Sequence, residues 1–346
     1  MTRIDEPRPT ASTGHPGTTL AVVQRQYGSP DVLTLERVPK PIPGPGEVLV
    51  AVKAASVNAR DWHIMRGEPR LARLMDPATF RLRRPRVAVR GTDLAGIVEA
   101  VGAGVTRWQP GDTVFGEGTG TFAEHALAPA DALAAIPAGV SFDNAAALPL
   151  AATTAALCLR ASDPPPGSSV LINGASGGVG TFALQLAVTM GLQTTAVVSP
   201  RNADLASSLG AANVIDYTRH DFTRSGHRYD VVIDLVGNRN LRDLHRTVQP
   251  NGSLVLSGGG VSGQGRTIGA LGLLVRAQVY DRTTNLRIRT PQAKPDTNLL
   301  QHLAGLVETG QLTPTIDRHF PLGAAADAIR YMETEHTRGK VVVTTT

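Results

Sequence analysis

Residues 170–180 read VLINGASGGVG, and the 346-residue chain is organised around them. The apolar run VLIN is a buried strand, and GGVGTFALQLAVTMG (177–191) reads as the helix that follows. Gly174, Gly177, Gly178 and Gly180 fall at the turn between them, with Ala175, Ser176 and Val179 in between. Glycines there let the backbone turn tightly and approach a pyrophosphate, whose charge meets the helix N-terminus. A second strand, QTTAVVS (193–199), ends about 20 residues further on, the spacing of a dinucleotide-binding unit.

Outward from this unit the texture is regular. DNAAALPLAATTAALCLRA (143–161) is helical, RNADLASSLGA (201–211) is a helix, and ANVIDY (212–217), YDVVIDLVG (229–237) and GSLVLSGG (252–259) are short apolar strands. Successive βα units of this length predict a parallel sheet with helices on both faces. Upstream, LAVVQRQY (20–27), VLTLERVPKPIPGPGEVLVAVKAASVN (32–58), GTDLAGIVEAVGAGV (91–105) and GDTVFGEG (111–118) alternate as strands broken by Gly and Pro turns. Downstream, NLLQHLAGLVETG (298–310) and AAADAIRYMETEH (324–336) are amphipathic helices, with TPTIDRHFPL between them and KVVVTTT (340–346) as a last strand. These are too few to form a core alone. The expected organisation is a disordered leader (1–18), a β-rich domain (19–148 with 286–346) and an interposed nucleotide-binding domain (149–285).

Composition narrows the function. The net charge is +5, but the basic residues are scattered and nearly all Arg, lysine occurring only at positions 40, 53, 294 and 340. Nucleic-acid binding predicts basic residues concentrated on one element with interleaved aromatics, and aromatics make up only 4%. The densest run, Arg66 to Arg90, reads as a solvated loop or as one that steers an anionic substrate. Cys158 is the only cysteine, which excludes an internal disulfide and a thiolate-built metal site. Residues 1–18 lack the apolar core of a signal peptide, and no apolar run reaches about 18 residues. The expectation is a cytoplasmic protein with neither a membrane nor a nucleic-acid partner.

The end of the second nucleotide-site strand bears on which dinucleotide binds. A carboxylate there would bond a ribose 2′-hydroxyl and repel a 2′-phosphate. The sequence instead reads VVSPRN, where Ser199, Arg201 and Asn202 offer a hydroxyl, a guanidinium fork and an amide. NADPH is the expected cofactor.

Taken together, GTDLAGIVEAVGAGV, GDTVFG, TGTFAEHALAP (119–129), AAALPLAATTAAL (145–157), INGASGGVG, DVVIDLVG and RGKVVV (338–343) resemble the medium-chain dehydrogenase/reductase superfamily. The resemblance implies an α/β fold: a β-rich GroES-like catalytic domain plus a Rossmann domain with a doubly wound parallel sheet. Zinc alcohol dehydrogenases of this superfamily carry Cys-Gly-x-Asp-x-His and Gly-His-Glu segments that ligate the metal. The chain has Asn58, Ala59, Arg60, Asp61, Trp62 and His63 on the first, and Gly91, Thr92 and Asp93 on the second. No tetrahedral donor set remains. SVN followed by an Asp resembles the zinc-free quinone oxidoreductase branch.

That resemblance implies hydride transfer to the activated C=C of an enone, enal or quinone, a small-molecule electron acceptor. Asn58 is expected to face the nicotinamide, with Thr154 near its carboxamide. Ser176, Gly177, Gly178 and Val179 are expected at the pyrophosphate, and Ser199, Arg201 and Tyr217 at the 2′-phosphate. Val236, Gly237, Ser257 and Gly258 are expected at the nicotinamide half. Asp61 and Trp62 are candidates beside the reacting centre, Trp62 equally for packing between domains, and Arg90 for a pocket favouring a polar or anionic substrate. Enoyl reductases of this superfamily use a Tyr donor near the first segment, and none of Tyr27, Tyr217, Tyr229, Tyr280 or Tyr331 is near it in sequence. A homodimer is implied, with LSGGG (256–260) and the residues after it near the sheet edge. Two alternatives stay open: a specialised reductase or cyclase of a biosynthetic pathway, and a non-catalytic NADPH-binding sensor or scaffold.

Overall fold

The computed structural model describes residues 17–258, 277, 280–281, 284, 286–335 and 337–345. In chain order the first part comprises β1 (Thr18–Gln24), β2 (Leu33–Pro39), β3 (Glu47–Val57), α1 (Ala59–Arg66), α2 (Ala72–Met75), β4 (Asp93–Val101), β5 (Thr113–Glu117), β6 (His125–Pro129), β7 (Leu133–Ala135) and α3 (Phe142–Ala146). The middle runs α4 (Pro149–Ser162), β8 (Ser169–Asn173), α5 (Gly178–Thr189), β9 (Gln193–Val198), α6 (Ala203–Ser208), β10 (Asn213–Asp216), β11 (Tyr229–Asp234), α7 (Leu241–Arg246), β12 (Val248–Leu256) and β13 (Arg287–Arg289). Then come α8 (Thr297–Glu308), β14 (Ile316–Pro321), α9 (Ala325–Thr334) and β15 (Lys340–Thr344).

The middle strands form one parallel sheet in the order β10-β9-β8-β11-β12-β13. The order reverses between β8 and β11, and a ligand of a doubly wound sheet binds in the crevice outside the strand ends at that switch. Both faces are covered, which is why β8, β9 and β11 read as continuous apolar runs instead of alternating. One core packs Ile172, Ala196 and Ile233 against α4, α5 and α8, and the other packs Leu171, Val197 and Val232 with Leu244.

The second sheet runs β14-β15-β3-β4-β5-β7, with β6 also paired to β3, and β1 and β2 form a separate hairpin. Its core gathers Val48, Val50, Leu94, Phe122 and Val343. The 11-residue β3 is the spine. Its register pairs Ser56 with Asp93 on β4 and with Val342 on β15, which brings three distant stretches of sequence to one corner.

The α/β class and the two sheets match the expected fold, but element boundaries differ. Thr18 already opens β1, and the remainder of the expected leader, residues 1–16, lies outside the described residues. The expected return to the first domain at residue 286 is too early. β13 pairs parallel with β12 as the sixth strand of the nucleotide-site sheet, and Leu299, Leu300 and Leu303 of α8 pack into the same core as Ile172 and Phe182. The chain rejoins the first sheet only at β14. β13 carries one buried residue, Ile288, between two arginines, too short a pattern to show a period. The expected dimer edge from LSGGG onward lies largely outside the described residues.

Residues 66–90 are ordered by contacts within the chain. Tyr27 Oη bonds the backbone of Arg81 and Arg84, the Arg73 guanidinium stacks 4.1 Å from the Tyr27 ring centroid, and Arg66 pairs with Glu333 of α9.

Candidate active site

A cleft of about 840 Å³ lies between the two sheets, at the switch point. On the nucleotide-site side it is lined by Asn173, Gly174, the 176–180 loop, Ser199, Asn202, Tyr217, Val236, Ser257 and Gly258. The opposite wall comprises Val57, Asn58, Ala59, His63, the 332–335 end of α9 and Gly339 to Val341.

The glycine loop is built for close approach. A Cβ on Gly180 would sit 2.1 Å from the Gly174 carbonyl oxygen, so the turn closes only with hydrogen there. Gly177 caps α5, a 12-residue helix whose first N–H groups lack intrahelical partners. At the end of β9, Ser199 Oγ is buried and makes no hydrogen bond, and Asn202 Oδ1 is likewise unpaired while its Nδ2 donates to Ser176 Oγ (2.9 Å). No carboxylate stands at this strand end. The orphaned Ser199 hydroxyl, beside a glycine turn at a helix N-terminus, fits a phosphorylated dinucleotide.

The switch point is braced from below. Asn173 Nδ2 donates to Asp234 Oδ1 (2.9 Å), which also accepts the Val236 and Gly237 N–H groups (both 3.1 Å). This locks the β8 and β11 ends together, and Gly237 contributes through that backbone bond without lining the cleft.

Across the cleft, Asn58 is the N-cap of α1, and its backbone N–H donates to Asp61 Oδ2 (2.8 Å). Thr92 Oγ1 donates to Asp61 Oδ1 (3.0 Å). Burial, with the Asp93 charge adding, raises the Asp61 carboxyl to about 6. Asp93 is fully buried, its Oδ2 accepting from Ser56 Oγ (3.0 Å) and the Leu150 N–H (3.3 Å). Lys340 completes the corner: its Nζ donates to Asn58 Oδ1 (2.5 Å) and the Val57 carbonyl (3.1 Å), and lies 3.8 Å from Asp93 Oδ2. Burial lowers the Lys340 pKa against the pull of Asp93 and Asp61. Glu117 on β5 pairs with Arg60 at 2.6 Å, and burial raises its carboxyl.

Several candidate residues lie elsewhere. Asp61 does not line the cleft, because both of its oxygens are used in holding α1. Trp62 is 4% exposed and packs in the first-sheet core with Met65 and Leu94, neither lining the cleft nor packing between the domains as expected. Arg90 is buried under the 66–90 segment, its guanidinium donating to the Val87 carbonyl, and burial lowers its pKa to about 10. Its backbone pairs with Val22 and Phe122, and its side chain does not line the cleft. Thr154 donates to the Leu150 carbonyl one helical turn back (2.6 Å), and Ala151 reaches the cleft instead. Ala175 is fully buried beneath the loop, and Arg201 is exposed in the turn Pro200–Asn202. Tyr27 approaches the end of α1 in space, against Gly67, but its hydroxyl is engaged with Arg81 and Arg84.

Sequence reasoning passed over Lys340, Asn173 and Asn238, all of which line the cleft. Lys340 carried a signal: one of four lysines in the chain, heading the apolar strand KVVV.

Comparison with known proteins agrees with this architecture. Residues 44–138 match the family described as "Alcohol dehydrogenase GroES-like domain", and residues 209–343 the family described as "Zinc-binding dehydrogenase". The chain is 31% identical over 320 residues to "Quinone-oxidoreductase QR1, chloroplastic" of Triphysaria versicolor, covering 88% of this chain and 92% of that one. It is 31% identical over 349 residues to "NADPH-dependent alkenal/one oxidoreductase, chloroplastic" of Arabidopsis thaliana, covering 96% and 81%. The solved quinone oxidoreductase from Coxiella burnetii superposes with a TM-score of 0.82 at 29% identity, covering 95% of this chain and all of that one.

The zinc in one family's description does not fit the residues present. At the positions of the metal-binding segments, Asn58 Oδ1 is taken by the Lys340 ammonium, and Asp61 and Thr92 are hydrogen-bonded to each other. Among the described residues no three His, Cys, Asp or Glu side chains converge on one point. Nor does any helix among them have the length and apolarity to cross a membrane. By fold, site and these relatives, the chain belongs to the medium-chain dehydrogenase/reductase superfamily and is an oxidoreductase of its quinone oxidoreductase-like branch.

Proposed function

We propose that the protein is a zinc-independent, NADPH-dependent reductase of the activated C=C bond in enones, enals or quinones. The observation that carries this reading is the Asn58 amide. It faces the glycine loop across one cleft, with its oxygen already occupied by an ammonium and its Nδ2 making only a long 3.4 Å bond to the Ser56 carbonyl, which leaves an N–H for an acceptor's carbonyl. The 176–180 loop and the α5 N-terminus suit the pyrophosphate, and the unpaired Ser199 hydroxyl, with no carboxylate at that strand end, favours a 2′-phosphate over a free hydroxyl. The activities named for the quinone and alkenal/one oxidoreductase relatives support the same acceptor class.

A bound dihydronicotinamide supplies a hydride, and with it two electrons. In an enone the β-carbon accepts that hydride, the C=C electron pair shifts to leave an enolate oxygen, and a proton from water adds at the α-carbon. Asn58 Nδ2 is the donor for the developing oxyanion, a role that a preorganised N–H performs without reorganisation. The rest of the rate comes from holding the two reactants in one orientation.

The test mixes the protein with NADPH or NADH and a panel of quinones, enones and enals, with and without a chelator, and follows cofactor oxidation. Chelator-insensitive turnover with NADPH preferred is the expected result. Turnover abolished by the chelator removes the zinc-independent reading, and tight NADPH binding without turnover on any acceptor moves the protein to a binding role.

A further inference from the structure

Lys340 lines the cleft, yet it is 3% exposed and buried beside a carboxylate that is wholly buried. An ammonium in such a place is costly unless bonded and paired. Two of its three donors go to Asn58 Oδ1 and the Val57 carbonyl, with Asp93 Oδ2 next nearest. The placement follows from register: Val341 pairs with Val57, so Lys340 comes level with Asn58 as β3 ends and α1 begins.

An amide can turn over and exchange its oxygen and nitrogen, but an ammonium has no lone pair and accepts nothing. A Lys bonded to Asn58 therefore admits only one orientation, with Oδ1 inward. Asn58 Nδ2 is then held only by a long contact of 3.4 Å to the Ser56 carbonyl. Drawing electron density toward Oδ1 also makes the N–H groups better donors, because bonds in a chain polarise one another.

We propose that Lys340 is a positioning residue for reduction: its ammonium locks and polarises the Asn58 amide, so that Nδ2–H meets the acceptor's carbonyl oxygen as a charge-assisted donor. The proposal rests on the reductase reading above and deepens it.

A pH signature results. The groups around Lys340 are Asp93 on β4, Asp61 and His63 on α1, and Glu117 with Arg60 near Asp93. Glu333 and Glu335 stand on the same cleft, and Tyr217 lies across it. Of these groups only Lys340 is the cation bonded to Asn58 Oδ1, so loss of its proton removes the lock. Burial pulls the lysine below its ordinary value, so activity falls as pH rises and the ammonium is lost.

The experiment compares wild type with Lys340→Met and Lys340→Arg on an enone that the wild type reduces, from about pH 6 to about pH 10. Two binding measurements accompany it: NADPH affinity by fluorescence, and affinity of the NADP⁺-loaded protein for p-nitrophenolate, an oxyanion probe, by difference spectroscopy. Lys340→Met is expected to lower kcat on the order of 10²-fold, the effect of losing one oxyanion donor. NADPH affinity should change far less, and phenolate binding should weaken in step with kcat. Lys340→Arg should recover much of kcat near neutrality and lack the alkaline limb, whereas a limb set by any other group would stay in place. Should Lys340→Met not fold, the arginine variant decides. Wild-type kcat in Lys340→Met, a limb that persists in Lys340→Arg, or phenolate binding indifferent to both variants overturns the proposal. A wild type that reduces no acceptor overturns the reductase reading instead, and phenolate binding then still decides the role of Lys340.

Discussion

The Gly339 N–H donates to the Ser176 carbonyl at 2.9 Å, joining the strap ahead of β15 to the loop at the opening of α5. The two sheets are thus stitched together at the cofactor cleft itself, by backbone groups 163 residues apart along the chain, the difference of 339 and 176. Gly339 holds φ at +96°, and a Cβ there would meet the Thr315 carbonyl oxygen at 2.2 Å.

Gly339→Ala therefore combines backbone strain with a clash against main chain. It should cost about 1–3 kcal/mol of stability and weaken NADPH binding, since the strap carries the glycine loop. Thermal unfolding with and without NADPH checks both; an unchanged Tm with unchanged affinity would show that the strap is slack.

Gly180→Ala tests the loop directly. The added methyl meets the carbonyl of Gly174 and the backbone of Ala175, and neither can yield without moving the turn. NADPH affinity should drop by at least about tenfold, equivalent to about 1.4 kcal/mol, while acceptor KM at saturating NADPH changes little. Fluorescence titration measures the first and steady-state kinetics the second.

Ser199→Asp places a carboxylate at the end of β9, where it would repel a 2′-phosphate and bond a free 2′-hydroxyl. The ratio of kcat/KM for NADPH over NADH should fall by about one to two orders of magnitude. An unmoved ratio would mean that this strand end does not read the ribose.

Asp61→Asn isolates a buried acid. Its folded-state pKa, about 6, stands above the ordinary 3.8, so folding favours the protonated form. That contribution is complete below about pH 4 and is lost as pH rises through about 6. The stability of Asp61→Asn relative to wild type should therefore improve from about pH 4 to about pH 6.5 and level off above, as urea midpoints at several pH values will reveal. A constant gap would contradict the raised pKa.

The glycine loop was legible because its evidence is local: strand period, glycines and helix succeed each other within about 20 residues. Lys340 was visible as an odd lysine, but its meaning comes from β15 lying beside β3, a register that no local pattern encodes. Arg90 misled by adjacency: standing before Gly91 placed it near the site in sequence, while its backbone pairs with Val22 and Phe122 and its side chain is buried beneath a loop. Asp61 misled by chemistry, because a carboxylate that caps a helix and one that serves a substrate look alike until their partners are seen. β13 escaped because three residues cannot declare a period.

Along its last residues the spine strand β3 takes one neighbour, β4, from just downstream, and the other, β15, from some 280 residues later, β6 lying instead beside its first half. While a ribosome makes the intervening nucleotide-binding unit, the β15 flank of β3 near Ala54 to Val57 is left as a bare, apolar edge that invites pairing with another chain. The first sheet can therefore complete itself only once residues 340–344 have been made, after the whole nucleotide-site sheet is already available to fold.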